Sequence, residues 1–249
     1  MVTKSEVSKS DVLADSNTET VEADNAAKSS EKTAHSTPTT RIVLVRHAVT
    51  PQTGPLLSGR KPGIDLSDEG RAQAKAVGMR LAPPVTIDRI FASPIERTQQ
   101  TAQAIAEHHN LEVVTLDGVI EAEYGDWTGG AIAELARPDL WRVVQTAPSR
   151  ARFPNGEGIA EMQARMVAAL DELITNHAGE NIVVVSHADP IKSAIAHYTG
   201  MHLDLFQRVV VSPASVTVFE FGGFGGSLVK LNETGSLSEL VSKPKGEDS

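Results

Sequence analysis

Cysteine is absent from the 249 residues of this chain, and aromatic residues make up only 4% of it. The absence of cysteine excludes disulfides, thiolate metal sites and cysteine nucleophiles. No apolar run approaches the length of a membrane span, and residues 1–40 hold no apolar core of a signal peptide. We therefore expect a cytoplasmic protein that does not bind a membrane.

Basic charge is also scarce, since the formal net charge is −9 at pH 7. This balance argues against a general nucleic-acid binder. All 13 arginines lie between Arg41 and Arg208, and none lies in the terminal segments. Arginine makes planar, bidentate contacts with phosphate and carboxylate groups. We interpret most of these arginines as solvated surface residues and a minority as candidates for anion binding.

The two ends of the chain differ in composition from its middle. Residues 1–40 are rich in Ser, Thr, Glu, Lys and Ala, with no aromatic residue and no apolar periodicity. Such a segment cannot bury enough apolar surface to offset its chain entropy, so we predict a disordered acidic tail. Residues 233–249 are predicted to form a second disordered tail. Residues 41–232 are predicted to form one folded domain.

Within this domain, apolar strand patterns alternate with helical patterns. Helices are predicted at 67–81, with Ser67 as N-cap, at 94–109, with Pro94 in the first helical position, at 159–173 and at 190–198, plus a short helix within 130–145. Strands are predicted at 42–46, 87–92, 112–116, 182–186, 215–221 and 227–231. This alternation predicts an α/β fold, a three-layer αβα sandwich around a mostly parallel central sheet.

The last two strands should form an antiparallel edge of that sheet. They are joined by the glycine-rich segment 222–226, which lacks the G-x-G-x-x-G order and precedes a strand rather than a helix. A hairpin turn is therefore favoured over a nucleotide-binding loop.

Two of the predicted strands end on almost the same residues. Segments 42–48 and 182–188 each consist of four aliphatic residues, a polar residue, a histidine and an alanine. Such runs suit strands that are covered on both faces, and ligands of open α/β sheets bind at the carboxyl ends of the strands. If the two strands are parallel neighbours, His47 and His187 face one pocket.

Two further segments place charged groups at the ends of elements. Segment 93–102 follows a strand and opens a helix, so Arg97 lies in the first helical turn. The positive end of the helix dipole favours an anion there. Glu121 follows another strand and is close in sequence to the turn residue Gly125.

Together these residues form a set suited to phosphoryl transfer. Arg46 and Arg97 would neutralise the non-bridging oxygens, and a neutral imidazole, from His47 or His187, would attack phosphorus. Glu121 would protonate the leaving oxygen. Nothing in the set requires a metal or a cofactor.

The four segments jointly resemble the histidine phosphatase superfamily, also called the phosphoglycerate mutase-like family, over residues 41–231. That family combines the motifs R-H-G, S-P-x-x-R-x-x-Q-T-A, E-x-x-x-G-x-W and S-H-G. This chain matches them at 46–48, 93–102, 121–127 and 186–188. The resemblance implies a phosphoglycerate mutase-like fold and a phosphatase that acts on a small phosphorylated metabolite. The sequence leaves the oligomeric state open.

The resemblance also implies a role for each matching residue. His47 would be the nucleophile that becomes phosphohistidine. Arg46, Arg97 and His187 would hold the phosphoryl group. Glu121 would act as the acid and then as the base that activates water.

Residues near these motifs are further candidates by the same resemblance. In the loop after His47, phosphate contacts are expected from Thr53, Ser58 and Arg60. Glu123 is a rival for the acid role, although the distance in sequence to Gly125 favours Glu121. Substrate contacts from Glu157 and Arg208 are weaker hypotheses.

The chain departs from the family pattern at Ala48 and Ala188, where both histidine motifs have glycine. If either position requires a positive φ or a very close approach to phosphate, alanine would be strained there. This departure keeps a weakly active or inactive phospho-ligand binding protein as one alternative. A phosphoglycerate mutase is the other, although the segment after Glu121 resembles the phosphatase branch.

Overall fold

The structure, a computed structural model, describes residues 38–137 and 139–235. The two predicted tails lie outside these residues except where they adjoin the folded part, and their disorder stays a prediction. In the described part of the chain, no helix is both long and apolar enough to cross a membrane.

The described chain has six strands, which are β1 (Thr40–Arg46), β2 (Arg89–Ala92), β3 (Val113–Thr115), β4 (Asn181–Ser186), β5 (Val216–Gly222) and β6 (Gly225–Glu233). They form one mixed sheet in the order β3-β2-β4-β1-β5-β6. Strands β3, β2, β4 and β1 are parallel to one another, whereas β5 is antiparallel to both β1 and β6. The predicted mostly parallel sheet with an antiparallel edge is therefore confirmed.

Helices cover both faces of this sheet. The described helices are α1 (Asp68–Leu81), α2 (Glu96–Ala106), α3 (Ile132–Leu135), α4 (Asp139–Thr146), α5 (Ile159–Asn176) and α6 (Ala188–Tyr198). Single 3-10 turns lie at Asp117–Val119, Gly125–Trp127 and Pro148–Arg150, and a longer one at Leu203–Arg208.

The aliphatic runs of β1 and β4 explain why these strands lie at the centre. Successive side chains of a strand point to opposite faces of the sheet. Val43 and Val45 accordingly join a core with α1 and α2, whereas Ile42 and Leu44 join a second core with α5 and α6. Val43, Leu44 and Val45 are 0% exposed, as expected for a strand covered on both faces. A third core packs the loops around Trp127 against α4 and α5.

Several element boundaries differ from the sequence predictions, by a few residues at most strand and helix ends. Helix α2 begins at Glu96, not Pro94, because Ile95 is extended and serves as N-cap. Helix α6 begins at Ala188, immediately after His187, so Asp189 lies in its first turn. The short helix expected within 130–145 is two helices, α3 and α4.

Other local predictions are confirmed. The Ser67 side chain accepts a hydrogen bond from the Gly70 amide and caps α1. Strands β5 and β6 pair through Gly222 and Gly225, so the glycine-rich segment is a hairpin turn.

Candidate active site

The two histidine-bearing strand ends lie side by side. Strands β1 and β4 pair in parallel with Arg46 opposite Ser186, and the His47 amide donates to the Ser186 carbonyl at 2.9 Å. This confirms that the two strands are parallel neighbours. The ring centroids of His47 and His187 are 5.3 Å apart.

Arg97 joins the two histidines. Its Nε donates to His47 Nε2 at 3.2 Å, and its Nη2 lies 3.2 Å from His187 Nδ1. Nη2 also donates to the Gly59 carbonyl at 2.8 Å, at a residue whose φ of +56° favours glycine. Nη1 of Arg97 is buried and has no hydrogen-bond partner among the described residues. One guanidinium therefore fixes both rings and keeps an N–H group for a ligand.

The hydrogen bonds of His47 determine which nitrogen is free to react. Its Nδ1 lies 2.7 Å from the Ala48 carbonyl oxygen, which only accepts, so Nδ1 carries the hydrogen. Nε2 of the neutral ring then holds a lone pair. Burial, followed by the charges of Arg97 and Arg46, holds the pKa of His47 well below its ordinary value. His47 is therefore a neutral imidazole with a nucleophilic Nε2.

His187 is fully buried, and its ring is held from the other side. Its Nε2 lies 2.8 Å from Ser93 Oγ, which follows β2. Because a hydroxyl both donates and accepts, Ser93 can hold either tautomer of the neutral ring. Burial, Arg97 and His47 keep the pKa of His187 well below its ordinary value.

Glu121 supplies the carboxyl group of the site. Its Oε1 accepts from the Ala122 amide at 2.9 Å, and its Oε2 lies 3.8 Å from His187 Nδ1. Burial and then the Asp189 carboxylate raise the pKa of Glu121 to about 7, against the opposing effect of Arg97. At neutral pH this group is poised to give or to accept a proton.

The backbone of Glu121 is held by two arginines. Its carbonyl accepts from Arg60 Nε at 2.8 Å and from Arg165 Nη2 at 3.0 Å. Glu157 forms ion pairs with both, at 3.2 Å to Arg60 and 2.6 Å to Arg165. Gly125, with a φ of +54°, lets the following turn pass against the Pro154 carbonyl.

This arrangement changes the interpretation of two candidates. Arg60 and Glu157 do not line the cavity, and their charged groups pair with each other and with the Glu121 segment. The expected phosphate contact of Arg60 and substrate contact of Glu157 are therefore not what the geometry shows. Arg165, which sequence reasoning did not select, completes the arrangement from α5.

A cavity of about 220 Å³ opens at this end of the sheet. Sites for drug-sized ligands typically have volumes of about 300–1,000 Å³. This cavity is smaller, so it suits a small molecule. Its lining includes Arg46, His47, Thr50, Thr53, Gly54, Leu56, Leu57, Ser58, Gly59, Arg97, Glu121, Tyr124, Ile132, Ala188 and Asp189.

The loop after β1 places both of its hydroxyl candidates at this cavity. Thr53 Oγ1 accepts from the Thr50 amide at 2.9 Å, and Ser58 Oγ donates to Gln52 at 3.1 Å. The rival acid Glu123 lies outside the lining, 3.5 Å from Arg60. Arg208 is exposed and also lies outside the lining.

Among the cavity residues that sequence reasoning missed, Tyr124 and Asp189 contact each other. The Tyr124 hydroxyl donates to Asp189 Oδ2 at 3.0 Å, and both side chains line the cavity. Tyr124 lies within the matched segment 121–127. Asp189 directly follows segment 186–188, so its position beside a site histidine was the available signal.

The two alanines cause no backbone strain. Neither Ala48 nor Ala188 is among the described residues with positive φ. Ala48 is fully buried, and its amide donates to Thr101 Oγ1 at 3.2 Å. Ala188 is the first residue of α6. The positive φ on which the expected strain depends is therefore absent at both positions.

Comparisons with known proteins show the family of the chain. The sequence model of the histidine phosphatase superfamily, branch 1, matches residues 42–234. Phosphoserine phosphatase 1 of Hydrogenobacter thermophilus is 33% identical over 205 residues, which cover 80% of this chain and 95% of that protein.

Solved structures with the same fold include two phosphatases. Entamoeba histolytica phosphoserine phosphatase, in complex with phosphoserine, has a TM-score of 0.72 and 26% identity and covers 80% of this chain and 99% of its own. The α-ribazole phosphatase of Shigella flexneri has a TM-score of 0.69 and 26% identity, with 79% and 98% covered.

Proposed function

The chain belongs to the histidine phosphatase superfamily, and we propose that it hydrolyses small phosphomonoesters through a phosphohistidine formed on His47. The observation that carries this proposal is the position of Arg97 between two neutral histidines, beside a carboxyl group whose pKa is about 7. This places a nucleophile, a cation and an acid at one cavity.

In the first half-reaction, Arg97 Nε gives up its hydrogen bond to His47 Nε2 and donates to a phosphoryl oxygen instead. His47 Nε2 then attacks phosphorus while the bond from phosphorus to the ester oxygen breaks. Protonated Glu121 gives its proton to the departing oxygen, which leaves as an alcohol. Arg46 and Arg97 balance the charge on the non-bridging oxygens. The Ala48 carbonyl keeps its hydrogen bond to His47 Nδ1 and so stabilises the positive charge of the phosphorylated ring.

In the second half-reaction, ionised Glu121 takes a proton from water, and the water oxygen attacks phosphorus. The bond from phosphorus to nitrogen breaks, and its electron pair returns to His47 Nε2. Inorganic phosphate leaves, and Glu121 is again protonated. Because the Arg97 guanidinium only donates, His187 Nδ1 accepts from it in the substrate-free site and Nε2 donates to Ser93. When the phosphoryl group takes the Arg97 hydrogen bond, His187 adopts the other tautomer, in which Ser93 donates to Nε2 and Nδ1 donates to the phosphoryl group in both steps.

The relatives support a small phosphorylated metabolite as substrate. The proteins compared above are a phosphoserine phosphatase of 33% identity and solved phosphatases of 26% identity. Contacts of Thr53 and Ser58 with the phosphoryl group are part of this proposal. The cytoplasmic location and the absence of nucleic-acid binding stay predictions from the sequence.

Of the alternatives, an inactive phosphate-binding protein rests on Ala48 and Ala188, through strain at positive φ or through obstruction of a close approach to phosphate. Neither residue has positive φ, and the Ala48→Gly and Ala188→Gly variants test the obstruction. Mutase activity has a direct check, which is phosphate transfer between the two hydroxyl positions of phosphoglycerate. We expect the protein to release inorganic phosphate rather than to carry out this transfer.

The pH dependence of the phosphorylation step tests the proposal. Glu121 must be protonated, so the burst rate with a dianionic phosphomonoester should fall above a pH of about 7. No acid limb is expected just below neutrality, because His47 stays neutral there. p-Nitrophenyl phosphate is unsuitable for this measurement, because its burst does not report on protonation of the leaving group. The phosphorylation step is therefore followed by quenched flow with an alkyl ester.

The Glu121→Gln variant is the matched control for that experiment. It should slow the burst by about 10²–10⁴-fold and abolish the alkaline limb. Persistence of the same limb in the variant would assign that ionisation to another group and contradict the role of Glu121. Failure of the unaltered protein to hydrolyse any phosphomonoester would overturn the proposed function.

A further inference from the structure

Asp189 is a cavity residue that the proposed reaction does not use. It is the second residue of α6, and its carboxylate faces the same cavity as Arg46 and Glu121. The Tyr124 hydroxyl donates to one carboxylate oxygen at 3.0 Å, and Lys192 Nζ lies 3.5 Å from the other. These contacts hold the carboxylate in one place at the cavity wall.

The described lining of the cavity holds two cationic and two carboxyl side chains. Among the described lining residues, the cations are Arg46 and Arg97, and the proposed reaction uses both on the phosphoryl oxygens. A phosphomonoester carries about −1.5 to −2 charges at pH 7, which these two guanidinium groups balance. Lys192 does not line the cavity and also donates to Gln207 at 3.0 Å.

The alcohol part of the substrate must lie on the side of Glu121, because Glu121 protonates the leaving oxygen. Apart from the groups used in the reaction, the described lining offers Asp189, Tyr124, hydroxyl groups and apolar side chains, and no further cation. A carboxylate on the alcohol part would therefore meet the fixed carboxylate of Asp189 with no further cation in the lining. Lys192, 3.5 Å from Asp189 and outside the lining, offsets that charge only in part. An ammonium or hydroxyl group there would find an acceptor.

On the basis of the proposed function, we infer that Asp189 determines substrate specificity, favouring phosphomonoesters whose alcohol part is neutral or carries an ammonium group over those whose alcohol part is a net anion. The inference rests on the position of Asp189 in the cavity and on the use of both lining arginines by the phosphoryl group.

Three substrates with the same two-carbon skeleton test this inference. They are phosphoethanolamine, 2-hydroxyethyl phosphate and phosphoglycolate, which end in an ammonium, a hydroxyl and a carboxylate group. For the unaltered protein we expect kcat/KM for the first two to exceed that for phosphoglycolate by about tenfold or more, as for like charges at close range. In Asp189→Asn, which keeps an acceptor for Tyr124, this ratio should fall at least severalfold.

The readout is the ratio of kcat/KM between substrates. A change at Asp189 also alters the pKa of Glu121 and so affects the hydrolysis of every substrate. Asp171→Asn is the matched control, since Asp171 accepts from the Tyr198 hydroxyl at 2.7 Å but lies outside the cavity lining. Its ratios should equal those of the unaltered protein.

Two results would overturn the inference, and they are distinguishable. Hydrolysis of phosphoglycolate as fast as of the hydroxyl ester, with the same ratio in Asp189→Asn, would remove the specificity role and leave the phosphatase function intact. Failure of the unaltered protein on all three substrates and on p-nitrophenyl phosphate would overturn the proposed function and this inference with it.

Discussion

The two histidine-bearing strand ends are nearly identical in sequence, but their surroundings hold the two rings by different nitrogens. At the end of β1, the Ala48 carbonyl holds His47 by Nδ1, and Nε2 meets Arg97. At the end of β4, Ser93 holds His187 by Nε2, and Nδ1 meets Arg97. A repeated motif on neighbouring strands therefore produces two differently oriented rings around one guanidinium.

Exposure separates the two rings further. His47 is 5% exposed and lines the cavity, whereas His187 is 0% exposed and is absent from the lining. The residues that precede the two histidines differ in exposure to the cavity in the same way. Arg46 lines the cavity, while Ser186 is buried and donates to the Val119 carbonyl at 2.7 Å. We infer that His47 reacts and that His187 binds, because only His47 lines the cavity, where its Nε2 carries a lone pair that accepts from Arg97 Nε.

The largest effect is expected from removal of the reacting ring. His47→Ala should lower kcat/KM by about 10⁴-fold or more, since a nucleophile is lost. Steady-state kinetics and thermal unfolding measure activity and folding separately. His197→Ala, at an exposed position near the other end of α6, is the control and should keep full activity. If His47→Ala were as active as the unaltered protein, the assignment of His47 as the reacting ring would be contradicted.

A smaller loss is expected from removal of the binding ring. His187→Ala should lower kcat by about 10²–10³-fold, the effect of losing one donor to the transition-state charge. Phosphohistidine should still form, more slowly, and single-turnover labelling would detect it. A variant that loses labelling as completely as His47→Ala would show that the two rings act as one unit.

The contact that distinguishes His187 from His47 is the Ser93 hydroxyl. Ser93→Ala should lower kcat by about threefold to tenfold, because a hydrogen bond worth about 0.5–1.5 kcal/mol no longer sets the ring. Ser193→Ala removes another buried hydroxyl, which donates to the Pro190 carbonyl at 2.7 Å. This control should lose stability but not kcat. If Ser93→Ala and Ser193→Ala changed kcat by the same factor, the role of Ser93 would be structural only.

The smallest effect is expected at the alanines that follow the two rings. Ala48→Gly and Ala188→Gly should leave kcat/KM almost unchanged, because neither residue has positive φ. Each should lower the free energy of unfolding by about 0.4–1 kcal/mol through the greater entropy of the unfolded chain. Chemical denaturation measures this loss. A large gain in activity from either change would show that the alanine blocks the approach of phosphate.

Much of the fold was predictable because its signals are local. The aliphatic runs of β1 and β4 require cover on both faces, which places them at the centre of the sheet. Ser67 caps α1 as its side-chain chemistry predicts. The start of α2 was misplaced because a proline suits the first helical position but does not require it, and Ile95 adopts the capping conformation instead.

The site was predictable where residues end strands or begin helices, as for His47, His187 and Arg97. It was not predictable where the direction of a long side chain decides. Arg60 is adjacent in sequence to Gly59, a cavity residue, yet its guanidinium turns to the Glu121 carbonyl and Glu157. The distant Arg165 reaches the same carbonyl from α5. Such contacts depend on packing between segments that are remote in sequence.

The most direct test of the different roles of the two histidines is the site of covalent phosphorylation. The protein is mixed with a phosphomonoester, quenched within milliseconds in alkaline denaturant, which preserves phosphohistidine, and mapped by mass spectrometry. We expect the phosphoryl group on His47 and none on His187. Phosphorylation of His187, or turnover without a phosphohistidine at any point of the time course, would contradict this assignment.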